Sequence, residues 1–113
     1  MQSKPDTMPN MRRPHVHLIG IGGIGMSALA RFYQSRGWHV SGSDLSRSEI
    51  TDALKKEGIH VSIGPHRQSN ITPSVTNVVY TAAAKPDNPE IREARRRGLP
   101  VMSYAEAVGE LTR

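Results

Sequence analysis

Short apolar runs alternate with amphipathic stretches along nearly the whole chain, and the alternation predicts its architecture. Residues 15–19 form a continuous apolar run too short for a helix and read as strand one. Residues 24–36 continue at helical spacing, with Ala28, Leu29 and Phe32 on one face and Gly37 as the stop. Residues 38–42 are strand two. Ser46 followed by Glu49 reads as a capping box that opens a helix through Glu57, with Lys55 and Lys56 in its last turn and Gly58 after it. Residues 59–63 are strand three, and 64–76 form a polar loop holding at most a short helical turn. The run 77–81 is β-branched and apolar on both faces, as a central parallel strand requires. Asn88 caps a helix that starts at Pro89 and reaches Arg97, with Gly98 beyond it. Residues 100–102 are strand five, and Ser103 with Glu106 is a second capping box opening a last helix to Arg113. Alternation of this kind predicts an α/β, doubly wound, Rossmann-like fold. Its five parallel strands should lie in the order 3-2-1-4-5 with helices on both faces.

The chemistry begins where strand one meets its helix. Gly20, Gly22 and Gly25 have the G-x-G-x-x-G spacing, which suits a tight turn, close approach of main chain to a phosphate, and close packing of the following helix. Amides at that helix start point at an anion with the positive end of the helix dipole behind them. Asp44 ends strand two nineteen positions after Gly25, where an acid meets a ribose hydroxyl in dinucleotide folds. The simpler reading, against which the order of strand, turn, helix and acid weighs, is a cap of the next turn beside Ser43 and Ser46. Strand four ends in Thr81, Ala82 and Ala83, small residues that either wall the crevice at the topological switch or simply make room for the glycine turn.

The remaining polar residues have simpler readings. The histidines 15, 17, 39 and 60 read as edge or satisfied core positions without metal-ligand spacing, and His66 alone falls in a loop from which it could reach a ligand. Arg92, Arg95, Arg96 and Arg97 read as a solvated helix end, or else as an interaction face. No nucleophile or carboxylate pair is placed for bond chemistry.

Composition narrows the classes. With no cysteine, disulfide frameworks and thiol chemistry are excluded, and no apolar run approaches a membrane span or a signal peptide, so a soluble cytoplasmic protein is expected. The net charge of +5 is inflated by residues 1–14, which hold Lys4, Arg12 and Arg13 against Asp6 and read as a disordered leader. The rest carries twelve basic against nine acidic residues, without interleaved aromatics, so no nucleic-acid partner is expected.

Four blocks in order resemble one family. Residues 18–27 with the glycines, Gly42-Ser43-Asp44-Leu45, His66 with Asn70, and Asp87-Asn88-Pro89-Glu90-Ile91 together resemble the N-terminal domain of Mur ligases. The resemblance covers 15–113. It implies that this domain holds the UDP part of UDP-N-acetylmuramate: the diphosphate on Gly20, Gly22, Gly23, Ile24, Gly25 and Met26, the uridine side on Ser43, Asp44, Leu45 and His66, with Thr81, Ala82 and Ala83 as crevice wall. It implies no cofactor here, with ATP and Mg²⁺ used by further ligase domains that this stretch, lacking a Gly-Lys-Thr loop, does not contain. The piece is thus expected to bind and not to ligate. The family's alanine-adding and tripeptide-recycling branches both remain open, and an NAD-binding dehydrogenase module is the rival from another class.

Overall fold

The computed structural model describes residues 13–112. Five strands, β1 (His15–Ile19), β2 (His39–Asp44), β3 (His60–Ile63), β4 (Asn77–Tyr80) and β5 (Val101–Ser103), form one sheet in the order β3-β2-β1-β4-β5. Every pairing is parallel. Four helices complete the units: α1 (Ile24–Ser35), α2 (Glu49–Lys56), α3 (Pro89–Arg96) and α4 (Tyr104–Leu111). Fold class and strand order are those the alternation predicts.

Side chains of β1 and β4 alternate between two cores. Val16, Leu18 and Val79 join Leu29, Ala30, Tyr33, Leu54 and Ala107 under α1, α2 and α4. Ile19 and Val78 join Ile71, Val75, Ile91 and Ala94 under α3. A sheet covered on both faces needs apolar residues on both sides of its central strands, and these two supply them.

Several boundaries differ from the sequence reading for identifiable reasons. β2 begins at His39 because the Trp38 N–H closes the end of α1 on the Tyr33 carbonyl and the Trp38 ring packs on Tyr33, centroids 4.7 Å apart. It extends to Asp44 through pairing with Ile63. The box that opens α2 is Ser48 with Thr51, not Ser46 with Glu49: the Ser48 hydroxyl accepts from Thr51 N–H, and the Thr51 hydroxyl accepts from Ser48 N–H. Ser46 instead donates its N–H to Asp44 Oδ1, so it belongs to the preceding turn. The helical turn in the 64–76 loop is a single 3-10 turn, Gln68–Asn70. Asn88 and the Ser103–Glu106 box cap α3 and α4 as expected. The expected leader falls outside the described residues except for Arg13 and Pro14, which are tied to the sheet: Arg13 donates to the Gly37 carbonyl and Pro14 accepts from His39 N–H.

Candidate functional site

β1 runs into Gly20, whose φ of +84° suits glycine and turns the chain over the carboxyl ends of the strands. The turn is pinned by Gly20 and Ile21 N–H groups donating to the Ser43 carbonyl at 2.8 and 3.0 Å. α1 then starts from Gly23 without any side-chain cap. The amides of Ile24, Gly25 and Met26 have no acceptor among the described residues, the usual state of a helix's first turn and the one an anion can satisfy.

In front of this turn, between the ends of β1 and β4, lies a crevice of about 290 Å³ lined by Gly20, Gly23, Asp44, Leu45, His66 and Thr81, with Ile19, Ala83 and Ala84 completing it. The strand order reverses there, which is where doubly wound sheets place ligands. Residues drawn from four separate stretches of sequence therefore meet in one place.

Other candidate residues stand behind the wall. Ser43 is buried. The Met26 side chain is core, while that of Ile24 is 83% exposed at the helix start. Ala82 is exposed beyond the crevice, and Ala84 takes its place in the lining. Gly22 donates its N–H to Asp44 Oδ2 at 2.8 Å, and a Cβ there would come 2.8 Å from that oxygen. Asp44 thus holds both the glycine turn and, through Ser46, its own. Gly25 makes room for helix packing, since a Cβ would come 2.6 Å from the Tyr104 hydroxyl of α4.

Behind the crevice lies a polar cluster that sequence reasoning missed. Glu90, on α3 and fully buried, reaches through to β1 and β2. Its Oε1 accepts from His17 Nε2 at 2.8 Å and from the Ser43 hydroxyl at 2.7 Å. Its Oε2 accepts from Asn70 Nδ2 at 2.8 Å, Arg67 N–H at 3.1 Å and His66 Nδ1 at 3.1 Å. Burial pushes this carboxyl up, but hydrogen bonds from His17, Asn70 and Ser43, with the charge of His17, more than reverse that and hold it at about 2. Beyond His17, the Ser41 hydroxyl lies 2.8 Å from His17 Nδ1 and 2.8 Å from His15 Nε2. The missed signal is polar spacing: His15 and His17 on β1, Ser41 and Ser43 on β2, alternate on one face of central strands that should be apolar there. A buried polar stripe demands a partner.

Arg97, read from sequence as part of a solvated basic end, instead donates to the carbonyls of Ile71 and Thr72 at 2.9 and 3.2 Å. It ties the β3–β4 loop to the end of α3. Arg96 does project, paired with Glu93 at 2.8 Å.

The sheet order and the crevice at its switch point define a Rossmann-like, doubly wound domain of the nucleotide-binding type. The chain belongs to the Mur ligase family: the model of "Mur ligase family, catalytic domain" matches residues 15–113. Among its relatives, the UDP-N-acetylmuramate–L-alanine ligase of Carboxydothermus hydrogenoformans is 52% identical over 96 residues, covering 85% of this chain and 20% of that protein. The crystal structure of the UDP-N-acetylmuramate-alanine ligase of Thermotoga maritima superposes with a TM-score of 0.81 at 37% identity, over 87% of this chain and 22% of that one. The UDP-N-acetylmuramate:L-alanyl-γ-D-glutamyl-meso-diaminopimelate ligase of Neisseria meningitides gives 0.76 at 27%, over 87% and 31%. The chain thus spans about a fifth of the length of the curated relatives it matches. Among the described residues no helix is long and apolar enough to cross a membrane.

Proposed function

We propose that residues 15–113 are the N-terminal domain of an alanine-adding ligase and hold the UDP part of UDP-N-acetylmuramate in the glycine-turn crevice. The observation that carries this reading is the convergence of the uncapped α1 start, Asp44, His66 and Thr81 on one hollow at the switch point. The diphosphate sits on the amides of Ile24, Gly25 and Met26, with Gly20 and Gly23 leaving space for it; the Gly22 amide serves Asp44 instead. The nucleoside lies toward Asp44, Leu45 and His66, with Thr81 and Ala83 as the far wall.

The chemistry that follows belongs to the rest of a full-length, cytoplasmic enzyme. Further domains there would hold ATP and Mg²⁺, which would supply the activation of the muramyl carboxylate for attack by alanine. This chain anchors the substrate's handle. The alanine-adding reading is preferred to the tripeptide-recycling one because the likeness to the alanine ligases is higher in both identity and superposition. The dehydrogenase reading shares only the fold with this chain.

Calorimetric titration of the folded chain should give saturable binding of UDP and of UDP-N-acetylmuramate, and none of NADH. Binding of NADH in place of UDP would overturn the reading, as would a folded chain indifferent to both uridine ligands.

A further inference from the structure

We propose that Glu90, which touches no ligand, is a positioning residue. It holds His66 in the tautomer that presents a bare Nε2 to the crevice, so that the site selects a nucleoside hydrogen-bond donor. The ligand half of this inference rests on the function proposed above.

The argument starts from the carboxylate. An ionised carboxylate can only accept, so every polar atom that meets it must donate. His66 Nδ1 lies 3.1 Å from Glu90 Oε2 and 3.2 Å from the Ser43 hydroxyl oxygen. Ser43 commits its own proton to Glu90 Oε1 at 2.7 Å. Both neighbours of His66 Nδ1 are therefore acceptors, and that nitrogen carries the ring's proton. In the neutral ring Nε2 is then a lone pair.

The rest of the cluster agrees with this polarity. When its ring is neutral, His17 donates from Nε2 to Glu90, and its Nδ1 then accepts from the Ser41 hydroxyl. Ser41 in turn accepts from His15 Nε2, and His15 Nδ1 accepts from the Ser74 hydroxyl at 2.9 Å. One carboxylate sets the direction of every bond from the loop before β4 to the crevice wall. No buried side-chain polar atom among the described residues is left without a partner.

The chemical consequence concerns selection. The crevice already contains an acceptor in Asp44, but both its oxygens are engaged by Gly22 and Ser46 N–H groups. His66, with 16% of its side chain exposed and its ring on the crevice wall, supplies the acceptor that is not so engaged. Its complement is an N–H or O–H on a neutral heterocycle or ribose, a group present in a uridine nucleotide and absent from pyrophosphate.

The test has two arms on the 113-residue chain. Nitrogen-15 shifts of the histidine rings, assigned with His66→Gln, should show His66 protonated at Nδ1 in the unmodified protein and mixed or reversed in Glu90→Gln. UDP affinity should fall about tenfold in both variants while inorganic pyrophosphate binding stays unchanged. An Nε2-protonated His66 in the unmodified chain overturns the proposal without any variant having to fold. So does Glu90→Gln with unaltered ring shifts and unaltered UDP affinity, or an equal loss of UDP and pyrophosphate. If the unmodified chain binds no UDP, the function proposed above fails and takes the selection half with it, while the ring shifts still decide the positioning half.

Discussion

The two ends of the sheet offer contrasting hollows. At the amino ends of the strands, a cavity of about 470 Å³ is lined by His15, His39, His60, Ser41, Ser62 and Asn70 among others. At the carboxyl ends, the glycine-turn crevice measures about 290 Å³. The larger hollow has the more titratable side chains, yet it lies where helices finish, at turns through Gly37 and Gly58, whose φ angles are +87° and +90°. Helix ends of that kind direct carbonyls and negative dipole ends outward. The smaller one has an open helix start, a small-residue wall and a fixed imidazole. Orientation of main-chain donors separates the two ends; volume does not.

The comparison breaks most sharply at Gly20. Replacing it with alanine puts a side chain in the left-handed region, with Cβ driven into the Thr81 methyl across the crevice. The expected cost is roughly 2–4 kcal/mol of stability, read in urea unfolding, with UDP binding lost in the fraction that folds. Preserved binding would place the ligand elsewhere. At the amino end the effect is on pH dependence. Burial, followed by the nearby charges of His17, His39 and His60, lowers His15 to about 4 from 6.5. The unfolded chain therefore takes up this proton before the folded one does, and stability falls as pH drops from 6.5 toward 4. Below that, Glu90 opens a second window: its stabilisation is complete above 4.5 and is lost as pH falls toward 2. Urea midpoints across this range should show both arms, and His15→Gln should flatten only the upper one. The smallest effect belongs to Arg96, 71% exposed and paired only with Glu93 along its own helix. Arg96→Ala should leave the urea midpoint and the UDP affinity unchanged, because neither hollow includes it.

Much of this was legible in the sequence, for physical reasons that also mark the failures. Strand order followed from period and alternation, because parallel sheets admit few windings. The Asn88-Pro89 and Ser103–Glu106 caps were readable because the cap and its partner lie within three residues. Ser46 misleads for the same reason: Ser46 and Ser48 both fit as caps, and Ser46 is drawn into the turn of Asp44, whose other oxygen takes the distant Gly22 amide. Glycine roles were partly readable. The turn at Gly20 follows from local conformation, whereas Gly25 against Tyr104 and Gly42 against Ile21 depend on elements brought together by folding; a Cβ on Gly42 would come 2.7 Å from Ile21 Cβ. Glu90 has no local signature beyond its place in the 87–91 block, because its partners lie up to 73 residues away. Arg97 was misread because the loop carbonyls it binds have no signature in local charge.

The reach of Glu90 has a consequence for how the chain folds. The first half, β1 through β3, is complete at Ile63 and could collapse by itself as the chain emerges. Alone it would leave the face carrying His17, Ile19 and Ser43 open to water, because Ile71, Val75, Val78, Ile91 and Ala94, which cover that face, all come from the second half. The acceptor for His17 and Ser43 arrives only with α3, from the second half. Docking of α3 thus dries that face and supplies, in the same movement, the carboxylate that the newly buried donors need.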